Sequence, residues 1–115
     1  MSEIPEFDEY GNLPAGVHFC EWEEFKKRFS TNLKRRNMIS GLELAMSQLK
    51  AAGCRMIYID GSFVTIESDP NDFDACYDRE TVNFDYLRVN APILFDRHNR
   101  NAKKSKYKGE IFPER

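Results

Sequence analysis

The sequence predicts an α+β domain, with helices and strands mixed along one chain, and three observations carry that expectation. An amphipathic helical block occupies residues 21–53. Three short strand-like runs follow it, at 54–60, 72–78 and 107–112. The 115 residues suffice for one core and not for two. Hydrophobic residues make up 41% and charged residues 31%, a globular rather than a disordered balance. The expected layout is a single domain over 1–115, with a lead-in at 1–20, helices at 21–53 and a sheet core at 54–115.

The lead-in has no sustained period and is punctuated by Gly11, Pro14 and Gly16. Trp22, Phe25 and Phe29 recur at helical spacing, while Glu23, Glu24, Lys26 and Lys27 fill the other side, so these aromatics are core. Ser30, Thr31 and Asn32 are N-cap candidates for a second helix. Its stripe is Met38, Ile39, Leu42, Ala45, Met46 and Leu49, and Gly53 marks its stop. CRMIYID, residues 54–60, reads as a strand. In DFDACYD, residues 72–78, alternation puts Asp72, Asp74 and Cys76 on one face and Phe73, Ala75 and Tyr77 on the other. Residues 79–90 fit either a loop or a short helix on Val82, Phe84 and Leu87. Pro92 either breaks that helix or opens a new one through Leu94 and Phe95. DRHNRNAKKSK, residues 96–106, reads as a solvated helix end or loop. YKGEIF, residues 107–112, reads as a third strand stopped by Pro113, with Glu110, Lys108 and Phe112 on one face.

Bulk properties exclude several function classes. A formal net charge of -2 gives no global pull toward nucleic acid or anionic membrane. No apolar run approaches a membrane span, and the acidic start MSEIPEFDEYGN lacks a signal peptide's apolar segment. A cytoplasmic protein with no membrane partner is expected. Cys20, Cys54 and Cys76 lie far apart, and with only His18 and His98 beside them no zinc spacing exists. They read as reduced thiols in or near the core, and both histidines read as structural or exposed. Lys34-Arg35-Arg36 and Lys103, Lys104, Lys106 and Lys108 read as solvated faces rather than a basic rim, since acidic residues (19) outnumber basic ones (17). Lys108 is excepted because it would share Glu110's face.

The chemistry concentrates in GSFVTIESDPNDFD. Asp72 and Asp74, at i and i+2 of a strand, project from one face with Cα atoms about 7 Å apart. They can share one or two magnesium ions, which prefer carboxylates plus phosphate oxygens. Glu110 supplies a third carboxylate if its strand lies beside theirs; Asp96 is a weaker candidate. Gly61 lets the chain turn sharply and lets a phosphate approach the backbone, and Ser62 adds a hydroxyl donor. Thr65 and Asn71 either contact a nucleotide or bond their own turn. On residue types alone, two readings stand: a metal–nucleotide site, or a strand, turn and strand with acids facing water.

The order of these features resembles the signature of the DNA polymerase beta-like nucleotidyltransferase superfamily. That signature is a hydrophobic residue, Gly-Ser, a spacer of nine or more residues, then Asp-hydrophobic-Asp. Here the spacer is nine and Phe73 fills the middle position. The chain further resembles a small bacterial branch with LPxGxH, an aromatic-acidic segment, GSFVT, PxDxD and a late YGxDxFP-like strand. The matching residues are Leu13 to His18, Trp22 to Phe25, Gly61 to Thr65, Pro70 to Asp74 and Tyr107 to Pro113. The resemblance implies a small mixed β-sheet with helices packed on one face. It implies metal at Asp72 and Asp74, phosphate at Gly61 and Ser62, and Glu110 at the third carboxylate position. Two departures are Glu110, where that branch carries Asp, and the end of the chain three residues after Phe112, where relatives continue with a helix and a strand. Against that resemblance, the second departure would leave an incomplete acceptor pocket or an exposed sheet edge that wants a partner.

The implied activity is transfer of a nucleoside monophosphate from a magnesium-bound triphosphate, ATP first, to a hydroxyl of a protein or RNA. The alternative is a weak or inactive module of the same fold, a toxin–antitoxin or phage-defence component with a protein partner. Self-association as a homodimer is compatible with both.

Overall fold

The computed structural model describes residues 4–96 and 98–114, so the first three lead-in residues, Arg97 of the polar run and Arg115 lie outside the description. Two helices open the fold, α1 at Trp22–Phe29 and α2 at Leu33–Ala51. α1 buries Phe25 and Phe29, and the half-buried Trp22 donates its indole N–H to Glu43 of α2 at 2.6 Å. Asn32 is the α2 N-cap, its side-chain oxygen accepting from the Arg35 N–H at 2.9 Å. Past Ala52, Gly53 takes φ 97, the left-handed conformation that turns a chain off a helix.

Three strands follow, β1 at Ile57–Asp60, β2 at Phe73–Tyr77 and β3 at Gly109–Pro113. β2 is central, antiparallel to β1 and parallel to β3, so the fold is α+β with a small mixed sheet. A parallel pair needs a crossover, and three helices supply it: α3 at Phe84–Asn90, α4 at Pro92–Phe95 and α5 at Arg100–Tyr107. Asn83 caps α3 by accepting from the Tyr86 N–H at 3.0 Å. Pro92 opens α4, where its missing N–H would have no helical partner anyway. Strand alternation divides the sheet. Phe73, Ala75, Tyr77 and Ile111 are buried in one core with Phe25, Leu42, Leu87 and Leu94 from the helices. Asp74, Cys76, Glu110 and Phe112 face the other way, partly open to solvent. No helix among the described residues is long and apolar enough to cross a membrane.

The polar run departs from expectation. It is neither a loop nor wholly solvated: α5 buries Lys103 and Tyr107. The Lys103 ammonium donates to the Ile111 carbonyl at 3.0 Å and lies 4.5 Å from the Phe112 ring centroid, which is how a charge is tolerated there. Tyr107 donates its hydroxyl to Gln48 of α2 at 2.6 Å. Lys108 then adopts φ 71 as the α5 C-cap. The last strand therefore begins at Gly109 rather than Tyr107, and Lys108 does not share the Glu110 face. It also runs on through Pro113, which pairs with Tyr77 on an edge strand, where a missing N–H is tolerated.

Arg35 is the larger correction. The run Lys34-Arg35-Arg36 reads as a solvated face, yet Arg35 is only 2% exposed. Its Nη1 donates to the carbonyls of Phe29 at 3.3 Å and Phe63 at 2.7 Å. Its Nη2 donates to those of Thr65 at 2.8 Å and Glu67 at 2.6 Å, and its Nε again to Glu67 at 3.0 Å. The guanidinium carbon lies 4.9 Å from the Phe63 ring centroid. Burial lowers the Arg35 pKa from its ordinary value, with the Glu67 charge opposing. One side chain thus fastens the irregular segment after β1 to the α1–α2 corner. Arg35→Met, which keeps much of the volume, removes all five bonds. We expect a stability loss of roughly 2–4 kcal/mol and a melting temperature lower by roughly 10 °C or more. Thermal unfolding reads this directly, and proteolysis should quicken within residues 61–69; an unchanged melting temperature would refute the assigned role.

Candidate active site

β1 ends at Asp60, and Gly61 follows with φ 90 and ψ -169, a backbone conformation that side-chain-bearing residues rarely adopt. A Cβ at Gly61 would lie 2.9 Å from Oδ2 of Asp74, so glycine serves both the turn and the close approach of that acid. Ser62–Val64 makes one 3-10 turn with Ser62 exposed. Thr65 closes it, donating its hydroxyl to the Ser62 carbonyl at 2.6 Å and its N–H to the same oxygen at 3.3 Å. Of the two readings of Thr65, bonding its own turn is the one the structure contains. Phe63 is fully buried and stacks between Phe25, Phe29 and Phe73, which sets the turn against the core.

Strand register then collects the acids. Asp60 pairs with Asp74, and Asp74 pairs with Glu110, so three carboxylates form a row across all three strands on the open face. Neighbouring strands are about 4.8 Å apart, and Asp72, expected inside the strand, instead stands just before β2, where it reaches Lys104. Asp72, Asp74 and Glu110 are therefore brought together beside the Gly61–Ser62 turn. Asp60 is a site residue that the sequence reading missed. Its signal is slight: Ile57 and Ile59 pack against the core, so the residue between Ile59 and the Gly-Ser pair must point the opposite way. Asp96 does not join, since it accepts from the His98 N–H at 2.9 Å in its own turn. His18 has its Nε2 2.7 Å from the Pro14 carbonyl, and His98 is exposed. The three cysteines are free, and burial raises the pKa of each thiol, which makes them weak nucleophiles.

Two cations from α5 answer the acids, and sequence reading missed these as well. Arg100 donates a short hydrogen bond to Oε1 of Glu110. The Lys104 ammonium is 3.1 Å from Asp72 Oδ2 and 3.7 Å from Glu110 Oε1. The acids consequently separate in character. The Arg100 hydrogen bond, aided by the Lys104 charge, outweighs partial burial and lowers the pKa of Glu110. Asp74 is pushed up, first by burial and then by the charges of Asp72, Glu110 and Asp60, with Lys104 opposing. Hard carboxylate oxygens are the donors that magnesium prefers, so the donor chemistry fits that ion. The arrangement is not yet a cage. No group of three ligating side chains converges on a metal position among the described residues, and Lys104 bridges Asp72 and Glu110.

The opposed shifts predict opposed variants. A carboxyl whose pKa is raised on folding contributes most below its unfolded pKa and loses that contribution as pH rises through its folded value. At neutral pH Asp74 therefore burdens the fold, and Asp74→Asn should melt above the native protein, the gain shrinking as pH falls through the acidic range. Glu110, with a lowered pKa, contributes above its unfolded value and loses this as pH falls through the folded one. Glu110→Gln should thus melt slightly lower at neutral pH, by no more than about 1 kcal/mol in stability because its partners are exposed. Melting curves at several pH values check both signs, and two shifts of the same sign would overturn the electrostatic picture.

Neither the curated proteins nor the solved structures contain a match to the chain. A family model described as "Family of unknown function (DUF6932)" matches residues 5–115. The match spans nearly the whole length, and the chain belongs to the DUF6932 family.

Proposed function

We propose that this protein is a minimal nucleotidyltransferase of the DNA polymerase beta-like type. It would take a magnesium-bound nucleoside triphosphate, ATP first, and transfer the nucleoside monophosphate to a hydroxyl on a protein or RNA. The observation that supports this best is the row Asp60, Asp74 and Glu110, with Asp72 beside it, next to a glycine turn that Asp74 itself approaches. Four acids on one small face repel one another, and the raised pKa of Asp74 marks the cost. A carboxylate held among three others, as Asp74 is, points to chemistry rather than to packing.

Asp72, Asp74 and Glu110 would hold magnesium, which when bound neutralises phosphate charge and promotes ionisation of the attacking hydroxyl. The Gly61–Ser62 turn would receive the triphosphate with Ser62 exposed, the Gly61 N–H exchanging its present acceptor, Asp60 Oδ1 at 2.8 Å, for a phosphate oxygen. A cavity of about 580 Å3 between the lead-in and β1, walled by Leu13, Val17, Tyr58, Asp60 and Gly61, suits the nucleoside. The acceptor oxygen bonds to the α-phosphorus as the α–β phosphoanhydride breaks, pyrophosphate departs and the hydroxyl proton passes to a carboxylate. Arg100 and Lys104 would exchange their carboxylate partners for phosphate oxygens as the substrate enters. In-line transfer of this kind asks for positioning and charge neutralisation, and for no covalent nucleophile.

One observation favours the second reading, an inactive interaction module of toxin–antitoxin or phage-defence type. Lys104 and Arg100 already neutralise Glu110 and Asp72, as cations built into a retired site would. Calorimetry with magnesium and ATP, followed by labelling from ATP carrying the tracer at its α-phosphate, separates the two. The enzyme reading expects magnesium-dependent ATP affinity and label on an acceptor, with both lost in Asp74→Asn although that variant is folded. Full labelling by Asp74→Asn sinks the mechanism. Absence of both affinity and label leaves the module.

A further inference from the structure

A groove of about 600 Å3 lies between one side of α2, on which polar and apolar residues mix, the end of α5 and Asn71, next to Asp72 of the carboxylate cluster. Lys34, Lys104, Lys106 and Lys108 line it, and no acidic side chain does among the described residues. In a chain of net charge -2, that is a local reversal of sign. Lys34 pairs with Asp69 outside the lining, and Lys104 pairs with Asp72 and Glu110. Lys106 and Lys108 have no carboxylate partner among the described residues. The Lys106 ammonium lies 5.6 Å from the Tyr107 ring centroid, and that of Lys108 donates to the Ser105 carbonyl at 3.1 Å. Neither contact satisfies an ammonium's full set of donors.

The shape suits a chain of phosphates better than a single one. From Lys34 to Leu44 the α2 wall runs about 15 Å, the rise of about four stacked nucleotides. The side-chain amides of Asn37 and Asn71 add neutral donors to the lysines, the mixture that phosphate oxygens take. No aromatic side chain lines the groove, so it has no platform on which bases could stack and no means of reading sequence. Lys104 belongs to both surfaces: it lines the groove and touches Asp72 and Glu110, so the groove opens onto the row.

We propose that this groove binds the phosphate backbone of a single-stranded nucleic acid, independently of its sequence, and leads the strand's terminal hydroxyl to the carboxylate row. The second half rests on the nucleotidyltransferase reading; backbone binding does not. Lys106 and Lys108 are the principal contacts, Lys34 extends the track, and Lys104 stands at the junction.

Fluorescence anisotropy of a short fluorescein-labelled RNA of mixed sequence, without magnesium, tests this between about 50 and 200 mM salt. With three to four phosphates contacted, affinity should fall with a log–log slope of about -2 to -3. Lys106→Gln/Lys108→Gln should bind roughly tenfold more weakly with a slope shallower by about 1.4. Lys27→Gln/Lys50→Gln removes two exposed lysines elsewhere and should change neither quantity. Equal weakening in both double variants, no binding at the lowest salt, displacement of RNA by stoichiometric ATP, or equal binding of polyglutamate would each overturn the proposal. The two readings fail separately. RNA binding with the stated slope but no label transfer removes the enzyme and keeps the groove. Label transfer to a protein with no RNA binding does the reverse.

Discussion

The guanidinium of Arg35 is the constraint on which the rest of the structure depends. Residues 61–69 leave β1 without joining a regular element beyond one 3-10 turn, so their carbonyls lack ladder partners. Buried and unpaired, each would cost of the order of 1–3 kcal/mol. Arginine alone among side chains offers five donors in a fixed fork. Here that fork reaches Phe63, Thr65 and Glu67 on the segment and Phe29 at the end of α1. The charge has no buried acid as partner; carbonyl dipoles surround it, with the Glu67 charge nearby. Because Phe63 and Thr65 are held, the turn that begins at Gly61 is held, and with it the approach of Asp74 to Gly61. The candidate site is thus positioned from beneath by a residue that touches none of its acids.

From above, it is conditioned by α5. A parallel β2–β3 pair requires a crossover, and its last helix must return beside β3. That topology delivers Arg100 and Lys104 to Glu110 and Asp72. It also explains why the acids differ although they share one face. Glu110, at the edge, is within reach of both cations, whereas Asp74, in the central strand, has an acid on either side. The most acid-crowded position is the one whose removal should relieve the fold, which separates what the sheet needs from what the site needs.

Legibility in the sequence followed the range of the interaction. α2 could be read because its apolar stripe, Asn32 cap and Gly53 stop are all local. β2 could be read because alternation of Phe73, Ala75 and Tyr77 is local too. Asp72, Asp74 and Glu110 could be picked out by residue type and resemblance. Asp60 could not, because its place in the row comes from pairing with Asp74 across strands. Arg35 sits among basic neighbours and looks like surface; only the return of residues 63–67 over α2 buries it. Lys103 misleads in the same way, its buried ammonium donating to the Ile111 carbonyl of a strand that follows it. Lys108 shifts the start of β3 by adopting a left-handed cap, a conformation that glycine or asparagine would have signalled and lysine does not.

The two cavities give the row a direction. Asp60, on β1, borders the largely apolar cleft beneath the lead-in, while Lys104, on α5, borders the lysine groove. Between them stands Asp74, in the central strand, with Asp60 on one side and Glu110 on the other, its Oδ2 set against Gly61. A planar, partly apolar ligand suits the first side and a polyanion the second, and their reactive ends would meet over β2. A transfer reaction needs its two substrates to approach one centre from different sides, with the charge of each met before they meet. A site built only to bind one partner would need neither the second surface nor an unfavourable acid at the junction. The crowded Asp74 stands on the strand between the residues that border the two surfaces, Asp60 on one side and Lys104 on the other, which is the arrangement that the proposed transfer would use.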